Sequence, residues 1–155
     1  KREQEQDGFY IPRLLYFLNQ RLWFGGCYPD YQLRLFKREK GRFSTEPVHE
    51  RVLLTGEAGY LRNPLHHFSY RTLSDYFKRF NVYTDLDALK WREKRRRFSL
   101  LGLFRFPLEF FHRYIIRQGF RDGYPGLFYA FLSSLSPLVK YMKLWELEQK
   151  TGKQR

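Results

Sequence analysis

The dipeptide His49-Glu50 places two proton-exchanging groups side by side, between Pro47 and the alternating apolar run "RVLLTG" at 51–56. A glutamate flanked by a histidine and an arginine can stay ionised near neutral pH and still accept a proton in a transition state. Such a carboxylate can act as a general base. The same dipeptide could also be a solvated pair at a strand edge, so the surrounding sequence has to decide between the two interpretations.

A second chemical possibility lies in "TDLDAL", where Asp85 and Asp87 are two residues apart. Close carboxylates suit a divalent cation, which prefers hard oxygen ligands. The pair stands between two helical stretches, however, and aspartate favours the first turn of a helix because it caps free N–H groups and complements the helix dipole. We therefore predict that these residues cap a second helix beginning around Thr84.

Composition suits a folded domain, alone or as part of a longer protein. Hydrophobic residues make up 43 % of the 155 residues, enough for a core, so global disorder is excluded. Aromatic residues reach 20 %, which suits a carbohydrate-facing cleft or an interfacial membrane surface. The single cysteine, Cys27, excludes an intrachain disulfide and is predicted to be a small, semi-buried residue without reactivity.

Charge is high and unevenly distributed. The formal net charge is +13, and residues 71–155 hold 18 of the 29 Lys and Arg residues but only 8 of the 16 Asp and Glu residues. This half should be attracted to polyanions, either nucleic acid or an anionic lipid surface. No apolar run approaches the roughly 20 residues of a spanning helix. The polar, methionine-free start predicts a piece of a longer chain.

Residue patterns predict a β-rich first half followed by helices. Residues 8–18 read as a strand, and 31–39 alternate in the same way, so we expect a long hairpin with a Gly-rich loop. Two further short strands are predicted in 49–56 and 58–70. A helix should follow, capped by Thr72 or Ser74, and the chain beyond it is amphipathic and interrupted by Pro107, Pro125 and Pro137.

The basic cluster between Lys90 and Arg97 contains six Lys and Arg residues and directly precedes an aromatic, aliphatic stretch. That combination is typical of a helix lying in the headgroup region of a membrane. The predicted membrane-binding residues are Arg95, Arg96, Arg97, Phe104, Phe110 and Phe111. Packing of these stretches into a small helical core is the alternative.

Five phrases then occur in a fixed order along almost the whole chain: "LRLFKREKGRF" (33–43), "VHERV" (48–52), "PLHHFSYRTLSDYFKRFNVY" (64–83), "RQGFRDGYPGL" (117–127) and "KLWE" (143–146). Together they resemble the C-terminal half of bacterial family 2 glycosyltransferases, most of all the type that adds glucose to an inner-core heptose of lipopolysaccharide. The resemblance implies an α/β fold of the GT-A type, α+β-like in this part, with a nucleotide-sugar-binding half preceding it.

On this resemblance, residues 1–70 form the β-rich acceptor side of the catalytic domain, 71–97 complete it with helices, and 98–155 form a membrane-associated helical tail. Glu50 is then the base that takes the proton of the attacking hydroxyl, and His49 orients it or contacts acceptor or phosphate. His67, in "HHFSY", corresponds to a late histidine that touches the metal or diphosphate, with His66 on the opposite face of the strand.

Four further residues are predicted to bind substrate. Arg34 could meet phosphate oxygens, because a guanidinium pairs well with them. Trp23 and Tyr28 could stack on a sugar ring, and Asp30 could bond acceptor hydroxyls. Solvated or packing roles are the alternatives for each of them.

The expected function is therefore inverting transfer of a hexose from a nucleotide sugar to a lipopolysaccharide-core or related glycan. The expected cofactor is a divalent metal, Mg or Mn, shared with the preceding half. The expected partners are the nucleotide-sugar donor, a lipid-linked saccharide acceptor and an anionic membrane, with no nucleic acid, at the cytoplasmic face of the bacterial inner membrane. The alternative function is a non-enzymatic basic module that binds anionic membrane or nucleic acid.

Overall fold

The computed structural model describes residues 6–44, 51–96 and 99–152, and it has mixed α and β structure. The described strands all precede the described helices, as the sequence predicted. The strands are β1 Gly8–Phe17, β2 Gln20–Leu22, β3 Asp30–Phe36, β4 Gly41–Phe43, β5 Val52–Leu54, β6 Ala58–Tyr60 and β7 Leu65–Tyr70. The α-helices are α1 Leu73–Glu93, α2 Arg105–Phe111 and α3 Gly123–Gly152.

Strand β1 is the centre of a five-stranded mixed sheet. It pairs antiparallel with β3 and β2 along one edge, and parallel with β6 and β7 along the other. The predicted hairpin of β1 and β3 is confirmed, and the loop between them contains the additional strand β2. Strands β4 and β5 form a separate antiparallel pair. His49 and Glu50, between these strands in the sequence, lie outside the described residues.

Helix α1 begins where the sequence predicted, because the Thr72 hydroxyl accepts a hydrogen bond from the Asp75 N–H at 3.0 Å. The prediction of a second helix starting near Thr84 is wrong, since α1 continues to Glu93. The buried Thr84 hydroxyl donates to the carbonyl oxygens of Phe80 (2.7 Å) and Asn81 (3.0 Å), one turn back. The hydroxyl is therefore satisfied inside the helix, and no break is needed to accommodate it.

Asp85 and Asp87 accordingly lie in the middle of α1 and cap no helix. Asp85 pairs with Lys143 at 2.7 Å and Asp87 with Lys140 at 2.6 Å, both on α3. The two ion pairs join neighbouring turns in the second half of α1 to α3. Each carboxylate is already neutralised by a lysine, which accounts for both residues without a metal.

Helix α3 is a single helix of 30 residues, although Pro125 and Pro137 were predicted to interrupt it. Pro125 lies in the first turn, where a backbone N–H would lack a partner within the helix. Pro137 removes one backbone hydrogen bond, yet the helix continues because Ala130, Ser134 and Leu144 are fully buried on either side of it. Tertiary packing therefore decides the length of this helix.

Four aromatic rings hold the sheet against the helices. The fully buried ring of Phe17, at the end of β1, contacts Tyr70 of β7 (6.3 Å between centroids), Tyr76 of α1 (5.9 Å) and Tyr129 of α3 (5.4 Å). All three contacts are edge-to-face, the arrangement that aromatic rings prefer. The core thus lies at the carboxyl end of β1.

We predict that Phe17→Ala lowers the free energy of unfolding by about 3–5 kcal/mol, because it leaves a cavity among three rings. Phe77→Ala is the matched control, since Phe77 lies on α1 and is 48 % exposed. Chemical denaturation of both variants measures the difference. Similar losses in the two variants would show that the Phe17 cluster is not the main core.

Candidate functional site: an arginine-lined cleft

An open cleft with a volume of about 890 Å³ lies over one face of the sheet. Alternate side chains of a strand point to the same face, so every second residue of three neighbouring strands lines it. The floor consists of Arg13 and Leu15 from β1, Asp30, Gln32 and Arg34 from β3, and His67 and Ser69 from β7.

Helical elements form the opposite wall. Arg79, Tyr83 and Leu86 come from α1, Tyr129 comes from α3, and Arg113 comes from a π-helical turn, His112–Ile116, that follows α2. With Arg51, which precedes β5, five arginines line the described part of the cleft, against one carboxylate, that of Asp30. Because guanidinium groups pair with phosphate and carboxylate oxygens, this cleft is suited to an anionic ligand.

Asp30 is held by protein groups. Its Oδ2 accepts from Arg13 Nε at 2.8 Å and from a second nitrogen of the same guanidinium, and its Oδ1 accepts from Gln32 Nε2 at 2.7 Å. Arg13 and Asp30 are direct partners in the register of β1 and β3. The carboxylate therefore orients Arg13 at the cleft floor.

His67 lies among the arginines. Burial, followed by the positive charges of Arg13, Arg79 and Arg34, lowers the pKa of His67 below its usual 6.5, and Asp30 offsets only part of this. The imidazole is therefore neutral at physiological pH and can donate or accept a hydrogen bond. Its neighbour His66 is on the opposite face of β7, as predicted, where its Nδ1 lies 2.8 Å from the Tyr16 hydroxyl.

The surroundings of His67 are only partly suited to the predicted metal. A neutral imidazole is a suitable ligand, but the surrounding guanidinium groups repel a bare cation, so a metal here would need an accompanying anion such as a diphosphate. Among the described residues, no cluster of three or more His, Cys, Asp or Glu side chains is placed to hold a metal ion.

The loop carrying Trp23 and Tyr28 is attached to the helical part of the protein. The backbone N–H groups of Trp23 and Phe24 donate to the carboxylate of Asp122, at 3.2 and 2.8 Å, and the two rings of Trp23 and Tyr28 meet edge-to-face at 4.9 Å. Neither ring is among the residues that line the cleft, although Gly26, Cys27 and Pro29 of the same loop are. Trp23 is 40 % exposed.

Cys27 belongs to the same loop and is buried. Burial raises the pKa of its thiol to about 12, although the nearby Arg113 acts in the opposite sense. The thiol is therefore fully protonated at neutral pH and is a poor nucleophile. The predicted packing role agrees with this environment.

The predicted base Glu50 and its neighbour His49 lie outside the described residues. Arg51, the residue after Glu50 in the sequence, is described and lines the cleft. The Ser44 N–H donates to the Arg51 carbonyl at 2.7 Å, and the Ser44 hydroxyl accepts from the Arg51 N–H at 3.0 Å. These two hydrogen bonds hold Arg51 against Ser44.

Sequence reasoning identified Arg34, Asp30 and His67 but missed Arg13, Arg51, Arg79 and Arg113. A period-two signal did exist for Arg13, which is a charged residue inside an otherwise apolar strand. Nothing local distinguishes Arg79 and Arg113 from solvent-facing arginines, because they reach the cleft only through the packing of helices on the sheet.

Five of the six predicted membrane-binding residues are described, and they belong to the helical part of the protein or follow α1. Arg95 and Arg96 are exposed after α1, with Arg96 over the Trp91 ring, and Arg97 lies outside the described residues. Phe104 and Phe111 are exposed, whereas Phe110 packs against Phe131. None of the helices in the described part of the chain combines the length and apolar character needed to cross a bilayer.

Comparisons with known proteins add no identification: no family model matches this chain, and no solved structure is detectably similar to it.

We predict that replacing Arg34 or Arg79 by Gln weakens binding of inorganic pyrophosphate about tenfold, because each variant removes a charge-assisted hydrogen-bond donor. Calorimetric titration at constant ionic strength measures the affinity. Arg62→Gln is the control with the same loss of charge, since Arg62 is exposed outside the cleft. Equal weakening in all three variants would indicate only a general charge effect.

Because the pKa of His67 is lowered in the folded protein, folding stability should depend on pH in a definite direction. The unfolded chain takes up the proton at a higher pH than the folded protein, so stability is lost as pH falls below about 6.5. His67→Gln should therefore show a smaller drop in Tm than the parent protein between about pH 7.5 and 5.5. His66→Gln, on the opposite face, serves as control, and indistinguishable behaviour of the two variants would contradict the prediction.

Proposed function

We propose that this chain is the acceptor-side part of an inverting glycosyltransferase, which transfers a hexose from a nucleotide sugar to a lipopolysaccharide-core or related glycan. The single observation that supports this proposal best is the cleft where His67 and five arginines converge, one of them Arg51, the residue after the predicted base. Both the diphosphate of a sugar donor and the phosphate groups of an inner-core saccharide are ligands for such a site.

The reaction requires one proton acceptor and one site for negative charge. The acceptor hydroxyl loses its proton to the carboxylate of Glu50 while its oxygen bonds to the anomeric carbon from the face opposite the leaving group. The bond from that carbon to the diphosphate oxygen breaks, and the nucleoside diphosphate leaves with the electron pair. His49, beside the base, would orient its carboxylate.

The arginines of the cleft supply electrostatic stabilisation in this proposal. Negative charge develops on the leaving oxygen, and guanidinium groups already held in place stabilise it without reorganisation. Arg13 is held by Asp30, and Arg113 is held by Glu109 through an ion pair of 2.7 Å. A divalent ion, Mg or Mn, would balance further charge on the diphosphate. His67 is the residue proposed to bind that ion.

A preceding, donor-binding half is part of the proposal, because the resemblance puts the nucleotide-sugar site upstream of the phrases found here. The acceptor is proposed to be lipid-linked, and the protein to act peripherally at the cytoplasmic face of the bacterial inner membrane. Trp23 is exposed on the loop whose residues Gly26, Cys27 and Pro29 line the cleft, and it is available to stack on a sugar ring of the acceptor.

The net charge of +13 also supports a second candidate, a non-enzymatic basic module that binds anionic membrane or nucleic acid. The two candidates differ in their dependence on carboxylates. A binding module needs only its cations, whereas glycosyl transfer needs a base at one particular position.

We predict that Glu50→Gln, in the protein expressed from the complete coding sequence, lowers the rate of hexose transfer by about 10²–10⁴-fold, because the amide cannot take the proton. Nucleotide-sugar binding should survive the substitution. Glu46→Gln is the matched control, since it removes the same charge from the same segment. Turnover is followed by release of the nucleoside diphosphate. Near-normal turnover by the Glu50 variant would remove Glu50 from the mechanism.

A further inference from the structure

The segment 100–116, which comprises the 3₁₀ helix Leu100–Phe104, helix α2 and the π-helical turn, is apolar on two opposite faces. Its inner face packs on α3: the Phe131 ring lies 5.6 Å from that of Phe106 and 6.3 Å from that of Phe110. Close approach is possible because Gly102 is buried against the ring of Tyr141, where a side chain would clash. This face is satisfied within the protein.

The outer face consists of large apolar residues at helical spacing that are exposed. Leu101 is 77 % exposed and Leu108 67 % exposed. The same spacing of three or four residues continues through the other members of the stripe, Phe104, Phe111 and Ile115. An exposed stripe of this kind marks an interaction surface.

The positively charged residues around this exposed apolar stripe indicate which kind of surface binds to it. The described residues just before the segment include the exposed cations Arg92, Lys94, Arg95 and Arg96, and Arg105 and Arg117 are exposed on the segment itself or next to it. Glu109 is the single acid between residues 99 and 117 and is paired with Arg113 at 2.7 Å. An apolar stripe bordered by cations is complementary to an anionic lipid surface.

We propose that the outer face of residues 100–116 inserts into the headgroup region of an anionic bilayer, with the segment lying parallel to the membrane. A second copy of the same chain is a poorer occupant, because residues 71–155 carry a strong excess of positive charge and would repel each other. This inference does not depend on glycosyl transfer, since it requires no substrate.

Docking in this way brings the cleft close to the membrane surface. Arg113, on the same segment, lines the cleft and reaches the Gly25 carbonyl at 3.5 Å, while the Gly25 N–H donates to the Arg117 carbonyl at 2.9 Å. The inserted segment is thus fixed to the loop at the rim of the cleft. A ligand in the cleft is held close to the lipid surface.

The test is flotation of the protein with vesicles of phosphatidylcholine containing about 30 % phosphatidylglycerol, compared with phosphatidylcholine alone, at two salt concentrations. We expect salt-sensitive binding to the anionic vesicles. The double variant Leu101→Glu/Leu108→Glu should bind at least about tenfold more weakly, because two inserted leucines become charged. The control is Leu53→Glu/Val82→Glu, which adds the same charge at exposed apolar positions elsewhere and should retain binding close to that of the parent protein.

Three outcomes would overturn the proposal. The first is equal vesicle binding by the two double variants. The second is tight binding to duplex DNA with no affinity for the vesicles. The third is a parent protein that is dimeric and does not bind vesicles, with the Leu101/Leu108 variant monomeric, since that result assigns the face to a second copy. Thermal unfolding of both double variants verifies that they are folded.

A second measurement reports the depth of insertion. An environment-sensitive fluorophore on Leu108→Cys should shift to the blue with anionic vesicles, whereas the same label on Val82→Cys should not. The native Cys27 does not compete for the label at neutral pH, because it is buried and its pKa is raised to about 12. Equal shifts at the two positions would also overturn the proposed orientation.

Discussion

The packing of Phe17 is the interaction on which the rest of the structure depends. Its ring is the point where β1, β7, α1 and α3 meet, through contacts with Tyr70, Tyr76 and Tyr129. Tyr70 and Tyr129 also line the cleft. Because alternate residues of β1 share a face, the strand that supplies this core residue also supplies Leu15 and Arg13 to the cleft floor. Core and cleft are therefore two ends of one surface.

Repulsion among the positive charges that line the cleft opposes this compact arrangement. Five guanidinium groups converge on a volume of about 890 Å³ with Asp30 as the carboxylate among the described lining residues. Burial, followed by the charges of three of these groups, Arg13, Arg79 and Arg34, lowers the pKa of His67. Such a concentration of like charge disfavours folding unless an anion relieves it, and sites that break the general rules of stability are often those where a ligand binds. The aromatic core supplies the packing that holds the arginines together.

Local signals in the sequence were sufficient for β1, β3 and the start of α1, but they missed the short strands β2 and β4 and merged β6 and β7 into one strand. Alternation predicted β1 and β3, the Thr72 cap predicted the helix, and the alternation of His66 and His67 predicted their opposite faces. The continuity of α1 past Thr84 and of α3 past Pro137 was missed, because burial outweighs local preference there. The cleft was found only in part, since Arg79 and Arg113 enter it through long-range packing that no spacing encodes.

The π-helical turn His112–Ile116 has a consequence for how this part of the chain can vary. Its Arg117 N–H bonds to the His112 carbonyl at 2.8 Å, so the turn contains one residue more than an α-helical turn. This extra residue sets the rotational phase between Phe111 and Ile115, which point outward, and Arg113, which points into the protein. A deletion of one residue here would leave the segment helical and still separate those directions. The length of the turn is therefore constrained in addition to the identity of Arg113.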